Sequence, residues 1–368
     1  MPYDLAPTEE QAALKDTLAD FARTVLRPSA RAAEAAGQTP AEVARRLHEI
    51  GVTAPVDEAY GGGGSFDAVT YCIAAEELAW GDAAMAYAAL GAGLAAVVLG
   101  RAGSDEQRKR YLPLFCEAEP PRSFVAIGER VAAGDLETLD TTITGDTVLG
   151  TKYGVLHAPD AQIGIVVGLS PQPQSNRGAT AAVLVEPGSG YRIVRPEDKL
   201  GLEAAPTWVV DFDVAGDALK GGAALEQALL FAKLMTGAVA LGGARASLEY
   251  ASQYATEREA FGRPIGAFQA IAFKVADMAI AVDAARYSLW RAAWHVDRES
   301  ATLADVAEAV GQCLQAALQC GDDGVQVLGG HGYVQDHPVE MWFRNAVTLS
   351  ALDAPDLVGD MMVARSVL

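Results

Sequence analysis

Two stretches of the chain hold residue types that could meet a ligand. TEREAFGRPIGAFQAIAFKVADM, residues 256 to 278, puts Arg258 at a helix end and follows it with a Phe261-Gly262 turn. Pro264 then restarts a helix, and Phe268 and Gln269 precede an apolar ridge. GVQVLGGHGYVQDHPVEMWFRNA, residues 324 to 346, sets Gln326 before Gly329-Gly330, where missing side chains admit a backbone or a ligand at close range. Taken alone, the first stretch is also an ordinary corner between helices, and the second a glycine-rich helix junction. Further on, Asp353-Ala354-Pro355 reads as a helix start, with Asp353 as N-cap and Pro355 in the first turn.

Other candidates carry less. Gly61 to Gly64 has no Gly-Lys-Ser/Thr after it and lies between helices, so a turn is expected rather than a phosphate loop. Gly91-Ala92-Gly93 with Ala96 lacks the preceding strand that a dinucleotide fingerprint needs. His331 and His337 flank the Gly329-Gly330 segment, where packing or hydrogen bonding is expected of them. His48, His157 and His295 have no metal-ligand spacing, and no metal is expected. Trp290 and Trp294, four apart on one helix, read as core or subunit interface.

The elements that must position these residues fall into three blocks. Thr8 with Gln11 forms a capping box, and Leu14, Leu18, Phe21 and Val25 follow at helical spacing until Pro28. A helix over 40–50 ends at Gly51, and another runs through Tyr71, Ile73, Leu78 and Trp80. After Pro120-Pro121 come short β-branched runs divided by turn residues: SFVAIG, TTITG, TVLGTKYGVLH, IGIVVGL, TAAVLVEP, YRIV and TWVVDFDV. From about Ala223 the helical period returns. The expected order is an N-terminal helical domain (1–118), a middle antiparallel, barrel-like β-domain (119–218) and a C-terminal helical bundle (219–368), an α+β fold.

The 368 residues carry a net charge of −20, with 51% hydrophobic and 21% charged residues. That field repels phosphate backbones and anionic lipid, so nucleic acid and membrane are not expected partners. An anionic ligand would need a local cluster of Arg, Lys or backbone N–H groups. Cys72, Cys116, Cys313 and Cys320 lack CxxC spacing and sit in apolar surroundings, which fits a reducing, cytoplasmic setting. No signal peptide is read in MPYDLAPTEEQ, and no later charge-free run of membrane-spanning length is expected.

Together the two stretches resemble the acyl-CoA dehydrogenase family, in which RxxFG…FQ and QxxGG with a later Pro and Arg recur near the carboxyl end. LHEIGVTAPVDEAYGGGG, SDEQRKRYLPLF and DKLGLEAAPTWVVDFDV also match in position and kind, so the resemblance covers essentially the whole chain. It implies an FAD protein that removes hydrogen across the α and β carbons of an acyl-CoA thioester and passes electrons to an electron-transfer flavoprotein. It also implies a four-helix C-terminal bundle and a tetramer arranged as a dimer of dimers. In the family, one subunit houses the isoalloxazine while a neighbour's RxxFG and QxxGG elements hold the adenosine and pyrophosphate. By that resemblance, Arg258, Phe261, Phe268, Gln269, Gln326, Gly329 and Gly330 are the cofactor-binding residues of this chain.

The other half departs from the pattern. The Thr-Glu-Pro-Gly-x-Gly-Ser flavin lining reads GERVAAGD, with Arg130 and Val131 for the Pro and Gly. The Trp-Ile-Thr/Ser strand reads Gly154-Val155-Leu156. The family's catalytic glutamate falls on Asp353, one methylene shorter, or roughly 1.5 Å less reach, where a misplacement of about 1 Å costs on the order of a hundredfold in rate. The alternative base position falls on Ala232, with Glu226 nearly two turns earlier. Three readings follow: a partner subunit of a heteromeric dehydrogenase, a self-sufficient dehydrogenase with Asp353 as base, and a non-redox acyl-CoA-binding scaffold.

Overall fold

The computed structural model describes residues 6–64, 66–130, 136–172, 178–186, 190–352, 361, 363–365 and 367. Helix α1 (Glu9–Phe21) opens on the expected capping box: Gln11 N–H donates to the Thr8 hydroxyl at 3.2 Å, and the Gln11 amide oxygen accepts from Thr8 N–H at 3.0 Å. The helical path does not stop at Pro28, contrary to the sequence expectation. Residues Ala22–Leu26 form one wider π turn, in which Arg27 N–H reaches back five residues to the Ala22 carbonyl, and α2 (Arg27–Ala36) follows with Pro28 in its first turn. The missing proline N–H falls where the ladder has already shifted, and Gly37, at φ 63°, ends the run.

Helix α3 (Ala41–Ile50) ends at the left-handed Gly51. Gly61, at φ 91°, closes the short turn Glu58–Tyr60, and a Cβ at Gly62 would lie 1.9 Å from the Val56 carbonyl oxygen, so the glycines serve a tight turn. Helices α4 (Ala68–Gly81) and α5 (Ala83–Ala102) are each capped by an aspartate, Asp67 and Asp82, and α6 (Asp105–Tyr111) by Ser104. Ala83 to Gly100 is eighteen residues without a charge, a run that the sequence expectation overlooked. The fold buries nearly all of α5, as an all-round apolar helix in a core must be.

All seven expected strands form: β1 (Ser123–Ala126), β2 (Thr142–Thr144), β3 (Thr147–Leu156), β4 (Ile163–Ser170), β5 (Ala179–Val185), β6 (Arg192–Pro196) and β7 (Thr207–Ala215). A short β8 (Asp217–Ala218) joins them. Their order is β6-β7-β3-β2-β4-β5-β8, with β1 also on β4. The sheet is not wholly antiparallel as expected, because β1 and β2 both run parallel to β4. The chain leaves β1 and crosses before returning, which parallel pairing demands. Alternation divides the sheet's two faces: Ile163, Ile165, Val167, Ala182 and Leu184 pack toward α5 and the helices, while Val166, Val183, Val148, Phe124 and Phe212 fill the opposite core.

The bundle consists of α7 (Ala223–Glu257), α8 (Gln269–Val296), α9 (Leu303–Leu328) and α10 (Val339–Leu352). Helix α7 is its axis, packed on α4, α5, α8 and α9, and Gly237 and Gly242 let neighbouring helices approach: a Cβ at Gly242 would lie 2.4 Å from the Glu76 carbonyl oxygen.

Candidate functional site

Three elements meet at one point. Gly128, just after β1, Gly154 in β3, and Leu352, the last residue of α10, lie together: a Cβ at Gly154 would be 3.4 Å from Leu352 Cδ2, and one at Gly128 would be 3.7 Å from the Leu352 carbonyl oxygen. A register shift between Lys152 and Val155 bends β3 here, and Gly154 takes φ 67°. Its N–H donates to Glu197 at 2.8 Å. One step along β3, Leu156 covers Gly91 of α5, where a Cβ would lie 2.4 Å from Leu156 Cδ1. His157, at φ 55°, bonds through Nε2 to the Ala88 carbonyl at 2.9 Å, and burial pushes its pKa down. Gly91 therefore serves contact between α5 and the sheet, and no dinucleotide turn forms there.

A buried ion pair holds the loop before this point. Lys152, fully buried, donates to Glu129 at 2.7 Å and to the Ile127 carbonyl at 3.0 Å. Glu129 also accepts from the backbone N–H of Asp140 at 2.5 Å and of Thr141 at 2.9 Å. Burial pushes the Lys152 ammonium down to about 8 in spite of the carboxylate beside it. Burial pulls Glu129 upward, but the Lys152 charge and the hydrogen bonds outweigh it and hold the carboxyl below its usual range. Sequence reading missed this pair, since nothing in residues 23 apart signals that they meet. Of the departures noted around it, Arg130 lies at an exposed turn and Val131 lies outside the described residues.

The loop between β6 and β7 locks α10 in place. Gly201 N–H donates to the Thr348 hydroxyl at 2.8 Å and Leu202 N–H to the Asn345 amide oxygen at 2.7 Å; both side chains are buried. A Cβ at Gly201 would lie 2.5 Å from the Arg344 carbonyl carbon. Arg344 ties the three blocks together: it donates to Glu340 at 2.7 Å, to the Leu200 carbonyl at 3.2 Å, and to Glu34 of α2. These contacts fix where the end of α10 points. Asp353, the candidate base, follows Leu352 directly and lies outside the described residues. Ala232 is buried in α7 and Glu226 is exposed in the helix's first turn.

The second cluster occupies the far end of the bundle. Arg258 ends α7 in extended conformation and is exposed, and among the described residues it makes no ion pair. Residues 259–260 and 263–264 form a two-stranded hairpin whose turn, Phe261-Gly262, has both φ positive, at 52° and 79°. That is the two-residue hairpin geometry, but it strains a bulky residue such as Phe261. The Phe261 ring is 96% exposed, edge-on to Phe268 at 6.2 Å, and the Arg263 guanidinium lies 4.1 Å over the Phe268 ring. Gln269 begins α8, exposed. Gln326 is exposed in the last turn of α9, and Gly329 caps that helix at φ 58°, with nothing within 4 Å of where a Cβ would stand.

The structure brings these two segments to one end of the bundle. Tyr254, one turn before Arg258, bonds His331 at 2.8 Å, and Lys274 of α8 pairs with Asp323 of α9. Helix α10 begins beside this end and finishes at Gly154, so its 14 residues separate the two clusters by about 20 Å. A cavity of about 520 Å³ lies beside α10's start, lined by Arg31, Glu34, Tyr333, Asp336, Glu340 and Arg344. No group of three or more metal-binding side chains occurs among the described residues.

Comparison with known proteins agrees with the architecture. Residues 8–119 match the acyl-CoA dehydrogenase N-terminal domain and residues 220–368 the acyl-CoA dehydrogenase C-terminal domain. The chain is 30% identical to an acyl-CoA dehydrogenase of Bacillus subtilis, over 98% of each protein. The butyryl-CoA dehydrogenase of Megasphaera elsdenii superposes with a TM-score of 0.85 at 26% identity, covering 99% of this chain and all of that one. The same fold, at 23% identity and a TM-score of 0.86, occurs in PigA solved as its FAD complex, over 99% of both chains. With two family domains matched over residues 8–119 and 220–368 and a 30% identical relative over nearly its whole length, the chain belongs to the acyl-CoA dehydrogenase family.

Proposed function

We propose that the chain works in the α,β-dehydrogenation of an acyl-CoA thioester as a subunit that supplies the adenosine and pyrophosphate half of a flavin site to a neighbour. The observation that carries this reading is the exposed bundle end. Arg258 offers a planar cation with fork geometry for a phosphate. Gln326 adds an amide, and Gly329, with nothing within 4 Å of where a Cβ would stand, leaves room for backbone approach beside Gly330. Phe261, held out at 96% exposure on a strained turn, is an aromatic surface waiting for another chain. This donor set fits the diphosphate and adenosine of FAD, which when bound supplies the hydride acceptor. The acyl-CoA substrate, an electron-transfer flavoprotein as acceptor, a tetramer containing a sibling dehydrogenase chain and a cytoplasmic site of action complete the proposal.

The chain's own residues would bind and orient. Arg258 and Gln326 hold the anionic end, the aromatic pair Phe261 and Phe268 shields it from water, and the Lys152–Glu129 pair keeps the loop near Gly128 in place. A second reading, a self-sufficient dehydrogenase with Asp353 as base, is favoured by one contact: Leu352, the residue before Asp353 in the sequence, rests on Gly154 and Gly128.

Visible absorbance of the protein purified alone, with flavin counted per chain after denaturation, separates the two. A colourless protein that turns yellow only with a sibling dehydrogenase, at about half a flavin per chain, supports the heteromeric subunit. Stoichiometric flavin bleached by an acyl-CoA, and bleaching lost in Asp353→Ala, supports the self-sufficient enzyme. Arg258→Ala should release flavin in either case, and flavin retention in that variant rejects the bundle-end site.

A further inference from the structure

His331 and His337 belong to no role assigned above. Their rings stack, with centroids 5.3 Å apart and planes 15° from parallel. A tyrosine of α7 holds each at the same atom: the Tyr254 hydroxyl is 2.8 Å from His331 Nδ1, and the Tyr250 hydroxyl is 2.7 Å from His337 Nδ1. Behind them the packing continues, with Tyr250 edge-on to Trp342 at 5.8 Å and the Arg27 guanidinium 4.5 Å over Trp342. Arg31 fixes the backbone by donating to the His337 carbonyl at 2.9 Å. With Nδ1 engaged, Nε2 of each imidazole has no hydrogen-bond partner among the described residues. His331 is exposed, and it sits next to Gly330 and one tyrosine away from Arg258.

A hydrocarbon would pack as well on Tyr254 as an exposed imidazole does, so packing does not account for the oriented pair. When the phenol donates to Nδ1, the ring carries its N–H at Nε2, the arrangement that meets an anion, and a protonated ring carries N–H there whichever way the phenol bond runs. Around them Glu257, Glu259, Asp322 and Asp336 are exposed, so an anionic ligand needs donors beyond Arg258.

We propose that His331 and His337 form a second donor wall of the bundle-end site, and that its ligand is the diphosphate of the FAD whose flavin end a neighbouring subunit holds. This rests on the half-site reading of the preceding section. The test is FAD titrated into the flavin-stripped protein in its native assembly, followed by flavin fluorescence, with FMN, which lacks the adenosine monophosphate half and keeps only the flavin-side phosphate, as control. His331→Ala should weaken FAD by about tenfold, the scale of one hydrogen bond to a charged group, and leave FMN unchanged. His331→Gln, which keeps an N–H donor, should recover most of the loss, and Tyr254→Phe should lose part of it.

His331 is exposed, so its replacement leaves the core intact and carries the decision; melting temperature and oligomeric state check each variant. FAD affinity unchanged in His331→Ala but lowered in Arg258→Ala overturns the histidine wall while the half-site stands. FAD affinity unchanged in both variants, or equal losses for FAD and FMN, overturns the half-site reading and the wall with it.

Discussion

The two ends of α10 follow opposite designs. At its carboxyl end, Gly128, Gly154 and Leu352 close on one another, backed by a buried ion pair and by two buried side chains that latch the β6–β7 loop. At its amino end the bundle presents Arg258, Phe261, Gln326 and Gly329 to solvent. The first region is held by packing and hydrogen bonds within the chain, and the second turns an arginine, an amide, an aromatic ring and a glycine turn to solvent. A buried site stands or falls with the fold. Substitutions in an exposed one are expected to leave the fold alone.

Substitutions should separate the two regions. The largest effect is expected for Lys152→Met, which strands Glu129 as a buried unpaired carboxylate at a cost of about 3–5 kcal/mol; urea denaturation reads it, and a loss under 1 kcal/mol would mean that the pair contributes nothing to the loop. The same pair sets an acid limb. Glu129 is held below its ordinary value, so the unfolded chain binds the extra proton first and stability falls as pH drops below about 4.5 toward the folded value. Glu129→Gln should flatten that limb in melts recorded from pH 6 to 3.

Gly201→Ala comes next. Its Cβ would lie 2.5 Å from the Arg344 carbonyl carbon, overpacking that costs about 1–3 kcal/mol and displaces the end of α10. FAD affinity at the bundle end should survive this change, and a parallel loss there would show that the two regions are coupled. Gly154→Ala should cost about 1–2 kcal/mol, the penalty for a left-handed non-glycine residue. Smallest for the fold is Phe261→Ala, expected within about 0.5 kcal/mol of the parent in thermal melts, because the ring touches almost no other part of its own chain. Its effect should appear in sedimentation, as weaker subunit association.

Much of the bundle end was legible in sequence. Arg258, the Phe261-Gly262 turn, Gln326 and Gly329-Gly330 are contiguous signals, each readable within its own stretch, and the structure brings the two stretches to one end of the bundle. The capping box at Thr8 and the seven strands were legible for the same reason. Pro28 misled because a helix can absorb a proline by widening one turn, a choice made by packing on α4. The parallel placement of β1 on β4 was illegible, since strand patterning reports which residues face the core but not which strand lies alongside. The uncharged run Ala83 to Gly100 has the composition of a membrane span, and only the surrounding helices show it to be a buried core helix.

The sequence by itself determined the three-block order, most helix ends and the two glycine-bearing helix junctions, because caps, periodicity and glycine placement act over a few residues. Tertiary structure alone decided that Glu129 meets Lys152, that Asn345 and Thr348 receive the β6–β7 loop, and that Tyr250 and Tyr254 orient two stacked histidines. Those contacts join residues far apart in the chain, and for the buried ones the removal of water as a competing partner gives them their strength.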